Sequence, residues 1–269
     1  MLSPQARAAL PKVLAHRGAS AEAPENTLAS VRRAIARDAD LVEVDVQRTK
    51  DGELVVLHDT TLARTTDVRR VFPRRAPWLV GDFTADEISQ LDAGSWHCEQ
   101  YAGERVPTLS DVVEVLRNSR TGLLIELKAT SLHPGLATDV AAVLQGIPGY
   151  VADAAAAGRL VVQSFDHDAA RHHKELLPSV PVGTLGTPSR PELGALATWA
   201  DQVNPVHWSV RPSFVEAVHR HGMRCHVWTV NRPGHMRRAL DLGVDGVITN
   251  HPVTLRRVLD AGRSERARA

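Results

Sequence analysis

The chain has 269 residues, 43 % of them hydrophobic, with a formal charge of +1 and two cysteines. This length suits one large α/β barrel or two small domains and is ample for a buried core. The balanced charge argues against a nucleic-acid surface, and no apolar run approaches the roughly eighteen residues that span a membrane.

Met1–Lys12 shows no apolar core of a signal peptide. Cys98 and Cys225 lie far apart, with no CxxC spacing. They read as two unpaired thiols in a reducing, cytoplasmic setting.

Short β-rich runs recur along the chain, at Val13–His16, Leu41–Val46, Leu123–Lys128, Leu160–Phe165, Val180–Leu185, Asp201–Pro205, Cys225–Val230 and Gly246–Thr249. Several are almost continuously apolar, as strands buried on both faces should be. Helix signals stand between them. Asn26-Thr27 precedes Leu28, Val31 and Ile35, and Asn26 reads as the cap of that helix. Ser110-Asp111 precedes Val112, Val115 and Leu116, and Pro212 and Pro233 stand at the openings of two later helices. Repeated β-α units imply a parallel sheet, and eight of them imply a closed (β/α)8, or TIM, barrel forming a single domain over 1–269.

One region breaks the rhythm. Asp51-Gly52 between two apolar runs signals a hairpin, so Leu54–Leu57 reads as an excursion paired with the second strand. Residues 59–107 then form an insertion with one short helix candidate, Ile88 and Leu91 behind Thr84-Ala85-Asp86-Glu87. An insertion at a strand end is commonly a lid or binding loop, so this one should roof the substrate. Residues 262–269 read as a polar, frayed tail.

The chemistry collects at the carboxyl ends of the strands. His16 and Arg17 end the first. Glu43 and Asp45 alternate with valines in the second and so point the same way. Two such acids facing a barrel interior repel one another unless a cation sits between them, and a hard divalent ion is the natural partner. Glu126 can complete a three-carboxylate site, and Lys128, two residues on, can hold an anionic group. His58 ends the hairpin excursion and can form an acid–base pair with His16. No Ser or Cys nucleophile with an adjacent base is evident. The reaction class that fits this set is phosphodiester cleavage.

These residues sit in stretches that resemble a known family. His16-Arg17-Gly18, Pro24-Glu25-Asn26-Thr27, Glu43-Val44-Asp45-Val46, Thr49-Lys50-Asp51-Gly52, Val56-Leu57-His58-Asp59 and Arg64-Thr65-Thr66 look like the glycerophosphodiester phosphodiesterases. So do Ile125-Glu126-Leu127-Lys128, Ser164-Phe165, Val227–Asn231 and Asp245–Pro252. The resemblance runs from about Leu14 to Pro252. It implies a TIM barrel with an insertion after the second strand and one divalent cation, Mg2+ or Ca2+. It implies hydrolysis of a small glycerophosphodiester to sn-glycerol 3-phosphate and an alcohol, by a monomer or homodimer.

In the same way it implies His16 and His58 as the acid–base pair and Glu43, Asp45 and Glu126 as metal ligands, with Arg17 and Lys128 holding phosphate. His16 would accept the first proton and His58 donate one to the leaving oxygen. Gln163 and Trp228, near later strand ends, are further substrate-binding candidates, with a core or rim tryptophan as the alternative for Trp228. His226 reads as structural. The alternative activity is a lysophospholipase D-type reaction on lipid, for which Val71-Phe72-Pro73, Trp78-Leu79-Val80 and the arginines 69, 70, 74 and 75 would supply the contact.

Overall fold

A computed structural model describes residues 11–266, with side chains through residue 262. Residues 1–10, part of the stretch expected to lack a signal peptide, lie outside the described residues, as do 267–269.

Nine strands form one sheet: β1 (Lys12–Ala15), β2 (Leu41–Arg48), β3 (Leu54–Val56), β4 (Gly122–Leu127), β5 (Leu160–Ser164), β6 (Val182–Leu185), β7 (Gln202–Asn204), β8 (Arg224–Val227) and β9 (Gly246–Thr249). The order is β1-β9-β8-β7-β6-β5-β4-β2, and β1 pairs again with β2, so eight parallel strands close into a TIM barrel. β3 lies outside this ring, antiparallel to β2. All eight expected barrel strands and the expected hairpin are present.

Alternation divides the strand side chains into two sets. Val42, Val44, Val46, Leu123 and Ile125 pack outward against the helices on one side of the barrel. Val203, Cys225, Val227 and Val247 do so on the other. Leu14, Leu41, Leu124, Val161 and Ile248 fill the interior. Each fully buried Leu or Val contributes roughly 1.5–3 kcal/mol relative to exposure. Leu41, Glu43, Asp45 and Gln47 share the inward face of β2. Register then sets the polar residues side by side: Asp45 is opposite Glu126, and Glu126 is opposite Gln163.

The helices start where capping chemistry allows. Thr27, not Asn26, caps Leu28–Ala36, its hydroxyl accepting from Ser30 N at 3.3 Å. Thr108 caps Leu109–Arg117, and Asp111 closes the capping box. Pro212 and Pro233 open their helices as expected.

Two features depart from expectation. The final helix, Pro252–Arg266, carries through most of the stretch read as a frayed tail. Arg, Glu and Ala are good helix formers, so polarity alone did not end it. The insertion also builds a small core of its own from Leu62, Val68, Val80, Phe83, Ile88 and Leu91, with Phe72 and Trp78 packed against it. This core packs on Val55 and Leu57 of the hairpin excursion. Tyr101 anchors the insertion to the barrel side, donating to Glu22 O at 2.7 Å.

Candidate active site

The strand ends surround a cleft of about 400 Å³, lined by His16, Arg17, Glu43, His58, Glu126 and Lys128 on one side and by Gln163, Phe165, Leu185 and Trp228 on the other. The seven charged positions picked out in the sequence converge here, with Asp45 buried beside Glu43. No residue of the insertion beyond His58 lines it.

β1 delivers the first two groups. His16 N donates to Thr249 O at 2.9 Å, which extends the β1–β9 seam by one residue. Arg17 and Gly18 then both take positive φ, 55° and 79°, and turn the chain back. Arg17 N thereby reaches Glu43 Oε2 at 2.8 Å, while its Nη1 donates to Glu25 Oε1 at 2.9 Å. The turn is pressed onto the first helix. A Cβ at residue 18 would sit 2.3 Å from Ser30 Oγ, so only glycine fits there.

Glu43, Asp45 and Glu126 are nearly fully buried. They offer one oxygen each within 4.8 Å of the others. Glu43 Oε1, Asp45 Oδ1 and Glu126 Oε1 have no hydrogen-bond donor. Lys128 Nζ comes within 2.8 Å of Glu126 Oε1, but as an ion pair outside hydrogen-bond alignment. Arg17 Nε stands likewise 3.2 Å from Asp45 Oδ2.

Burial, then the charge of Asp45, holds Glu43 well above the usual carboxylate range. The same two causes raise Glu126 to about 7. Buried carboxylates are costly unless fully compensated, and the cations that pair with these three are Arg17 and Lys128. Three hard oxygen donors converging on one point fit a divalent cation.

The two histidines are held differently. His16 Nδ1 pairs with Asn250 Oδ1 at 2.7 Å. Burial, then Arg17, lowers its pKa to about 4, so the ring is neutral near pH 7. His58 Nδ1 pairs with Asp59 Oδ1 at 2.8 Å. Arg64 grips Asp59 at 2.6 and 2.9 Å and continues to Glu25 at 2.7 and 3.0 Å. A chain of hydrogen bonds thus runs from His58 through Asp59, Arg64 and Glu25 to Arg17.

Residues 16–254 match the glycerophosphoryl diester phosphodiesterase family. The chain belongs to that family. A glycerophosphodiester phosphodiesterase of Caldanaerobacter subterraneus subsp. tengcongensis is 37 % identical over 251 residues, covering 90 % of this chain and 95 % of that one. One of Bacillus subtilis is 34 % identical over 253 residues, covering 89 % and 83 %. Among solved structures, an Oleispira antarctica phosphodiesterase in complex with the product sn-glycerol-3-phosphate superposes with a TM-score of 0.80 at 30 % identity, covering 93 % of this chain and 97 % of that one. The protein is accordingly a phosphoric diester hydrolase, as other members are.

Several residues of this family member's site make contacts that local sequence does not show. Asn26 is not the helix cap. It adopts φ 57° and clamps Asp45, its Nδ2 donating to Oδ2 at 2.8 Å and its Oδ1 accepting from Asp45 N at 3.3 Å. Glu25, Asp59 and Arg64 lay within stretches that carried the resemblance, which was the one signal available for them. Phe165, 55 % exposed, meets Trp228 edge-on at 5.6 Å and forms an aromatic wall. Trp228 Nε1 donates to Asn204 O at 2.7 Å, and Gln163 Oε1 accepts from Asn204 Nδ2 at 2.7 Å. His226 lies deeper, 2 % exposed. Both cysteines are free. No helix among the described residues is long and apolar enough to cross a membrane.

Proposed function

We propose that the protein hydrolyses glycerophosphodiesters to sn-glycerol 3-phosphate and an alcohol, with one Mg2+ or Ca2+ held by Glu43, Asp45 and Glu126. The observation that carries this reading is the set of three buried carboxylate oxygens without donors, facing a cleft flanked by Arg17 and Lys128. With all three carboxylates ionised, as ligation requires, the two cations leave the cluster one negative charge. A divalent ion reverses that to one positive charge, which matches the single negative charge of a phosphodiester. When bound, such an ion supplies electrostatic stabilisation at phosphate and lowers the pKa of a nearby hydroxyl.

The protein's own groups then act in order. His16, neutral and with Nδ1 engaged by Asn250, takes the proton of the glycerol 2-hydroxyl. That oxygen attacks phosphorus. The bond to the head-group oxygen breaks, and His58 gives that oxygen a proton. Arg17 and Lys128 stabilise the added negative charge on phosphate. A water then opens the cyclic ester with the histidines reversed. Closure of a five-membered ring gives this route a large proximity advantage over direct attack by water. Gln163 and Trp228 contact the remainder of the substrate. The free thiols support a cytoplasmic setting.

The lysophospholipase D-type alternative finds no support in the lining of the cleft. Phe72, Trp78 and Val80 pack into the core of the insertion and present no apolar surface to the cleft.

The test is turnover of glycerophosphocholine with Mg2+, with Ca2+ and with chelator, beside His16→Ala and His58→Ala. Chelation should abolish activity, and each alanine should lower kcat by roughly 10²–10⁴. A 2-deoxy analogue should bind without being cleaved. Its normal turnover would exclude the cyclic route, and full activity of metal-free protein would exclude the metal.

A further inference from the structure

β2 presents a third polar side chain on the face that carries Glu43 and Asp45. Gln47 follows in the same alternation and is completely buried. Its Nε2 donates to Leu57 O at 2.7 Å and to Asp59 O at 2.7 Å. These carbonyls belong to the residues on either side of His58. Its Oε1 faces His133 Nε2 at 3.4 Å. Both hydrogens of the amide are therefore spent on the backbone that bears His58, and a primary amide has only those two to give.

Two supports act on His58 along different directions. Asp59, held by Arg64, fixes the ring through Nδ1. Gln47 fixes the backbone beneath it. Successive inward residues on one strand stand about 6.6 Å apart along its axis. One rigid strand thus sets the spacing between the carboxylate pair and the segment carrying His58.

We propose that Gln47 is a positioning residue for the reaction, holding the Leu57–Asp59 backbone so that His58 meets the departing oxygen. The inference rests on the acid role given to His58 above. In that step the bond from phosphorus to the head-group oxygen breaks, and a proton passes from His58 to that oxygen. An alkoxide leaving group needs that proton, whereas p-nitrophenolate departs without it. A displaced His58 therefore slows the first kind of substrate and spares the second.

The experiment compares kcat on glycerophosphocholine and on the p-nitrophenyl ester of glycerol 3-phosphate, for wild type, Gln47→Met and His58→Ala. Methionine keeps the volume of Gln47 and removes both donors. Gln47→Met should lower kcat on glycerophosphocholine by about 10–100-fold, the usual cost of a small misplacement, and on the aryl ester far less. KM and the calorimetric affinity for Ca2+ should hold. Gln47→Glu, which turns the donors into acceptors that repel both carbonyls, carries the same comparison if the methionine variant does not fold. Equal losses on the two substrates would overturn the inference, since a loosened fold does not distinguish leaving groups. If His58→Ala itself shows no such preference, the acid role has failed and Gln47 has no acid to position. If His58→Ala shows it and the Gln47 variants do not, only the inference about Gln47 has failed.

Discussion

His16 Nδ1 lies 2.7 Å from Asn250 Oδ1, across the seam where the first barrel strand meets the last. With the amide oxygen accepting, Nδ1 carries the proton and Nε2 is free to take one. Asn250→Asp places a carboxylate at the same point, which favours the imidazolium and raises the His16 pKa from about 4. The acid limb of the kcat/KM profile should move to higher pH. An acid limb that stays in place in this variant would show that His16 is not the titrating base.

Metal binding should displace protons. Glu126 has a pKa near 7 and Glu43 lies well above its usual range. At pH 6 Glu126 is substantially protonated in the metal-free protein, burial favours the protonated form of Glu43 as well, and a cation must expel what protons they hold. At pH 8 Glu126 is already ionised, so fewer leave. Calorimetric titration of Ca2+ in buffers of different ionisation enthalpy should show release at pH 6 that shrinks at pH 8. Identical heats in all buffers at pH 6 would count against these three residues as the ligands. Saturating cation should also raise the thermal midpoint, by an amount set by its concentration relative to Kd.

Acid should destabilise the fold through two buried histidines away from the carboxylate cluster. Burial is the largest cause in both His173 and His226, and it pulls each pKa down to about 4. The unfolded chain holds these protons from about pH 6.5 and the folded chain only below about 4. Between those values the unfolded state binds more protons, so stability falls as pH falls, by up to roughly 1.4 kcal/mol per pH unit for each histidine. His173→Gln should make the slope shallower. Urea unfolding of this variant and wild type at pH 7, 6 and 5 is the check, and parallel slopes would refute it.

Phe165 and Trp78 should separate substrate choice from stability. Phe165 is exposed on the wall of the cleft, so Phe165→Ala should change the KM ranking among choline, ethanolamine and glycerol esters. Trp78 donates from Nε1 to Phe72 O at 2.8 Å and packs on the core of the insertion. Trp78→Ala should cost about 2–4 kcal/mol in unfolding free energy, towards the lower end for a half-buried ring, and leave the ranking intact. A ranking altered by Trp78→Ala would show that the insertion faces the substrate.

The sequence alone determined what depends on local periodicity. Glu43 and Asp45 alternate with valines, and Glu126 and Lys128 stand two apart in an apolar strand. Each pair had to share a face because a strand repeats every two residues. Eight such runs with helix signals between them were enough for the barrel. Asp51-Gly52 announced the hairpin that carries His58.

Tertiary structure alone decided what joins distant segments. Asn250 reaches His16 only because the barrel closes, 234 residues apart in the chain. Asn26 looked like a cap, since Asn beside Thr before an apolar helix usually is one. The fold gave the cap to Thr27 and turned Asn26 onto Asp45. Gln47 carried no role in the sequence, and only the fold brings Leu57 O and Asp59 O within its reach. Trp78 and Phe72 looked like surface for a lipid because composition does not show which way an irregular segment faces. Only the fold shows that both rings lean on a small core which the insertion builds from its own apolar residues.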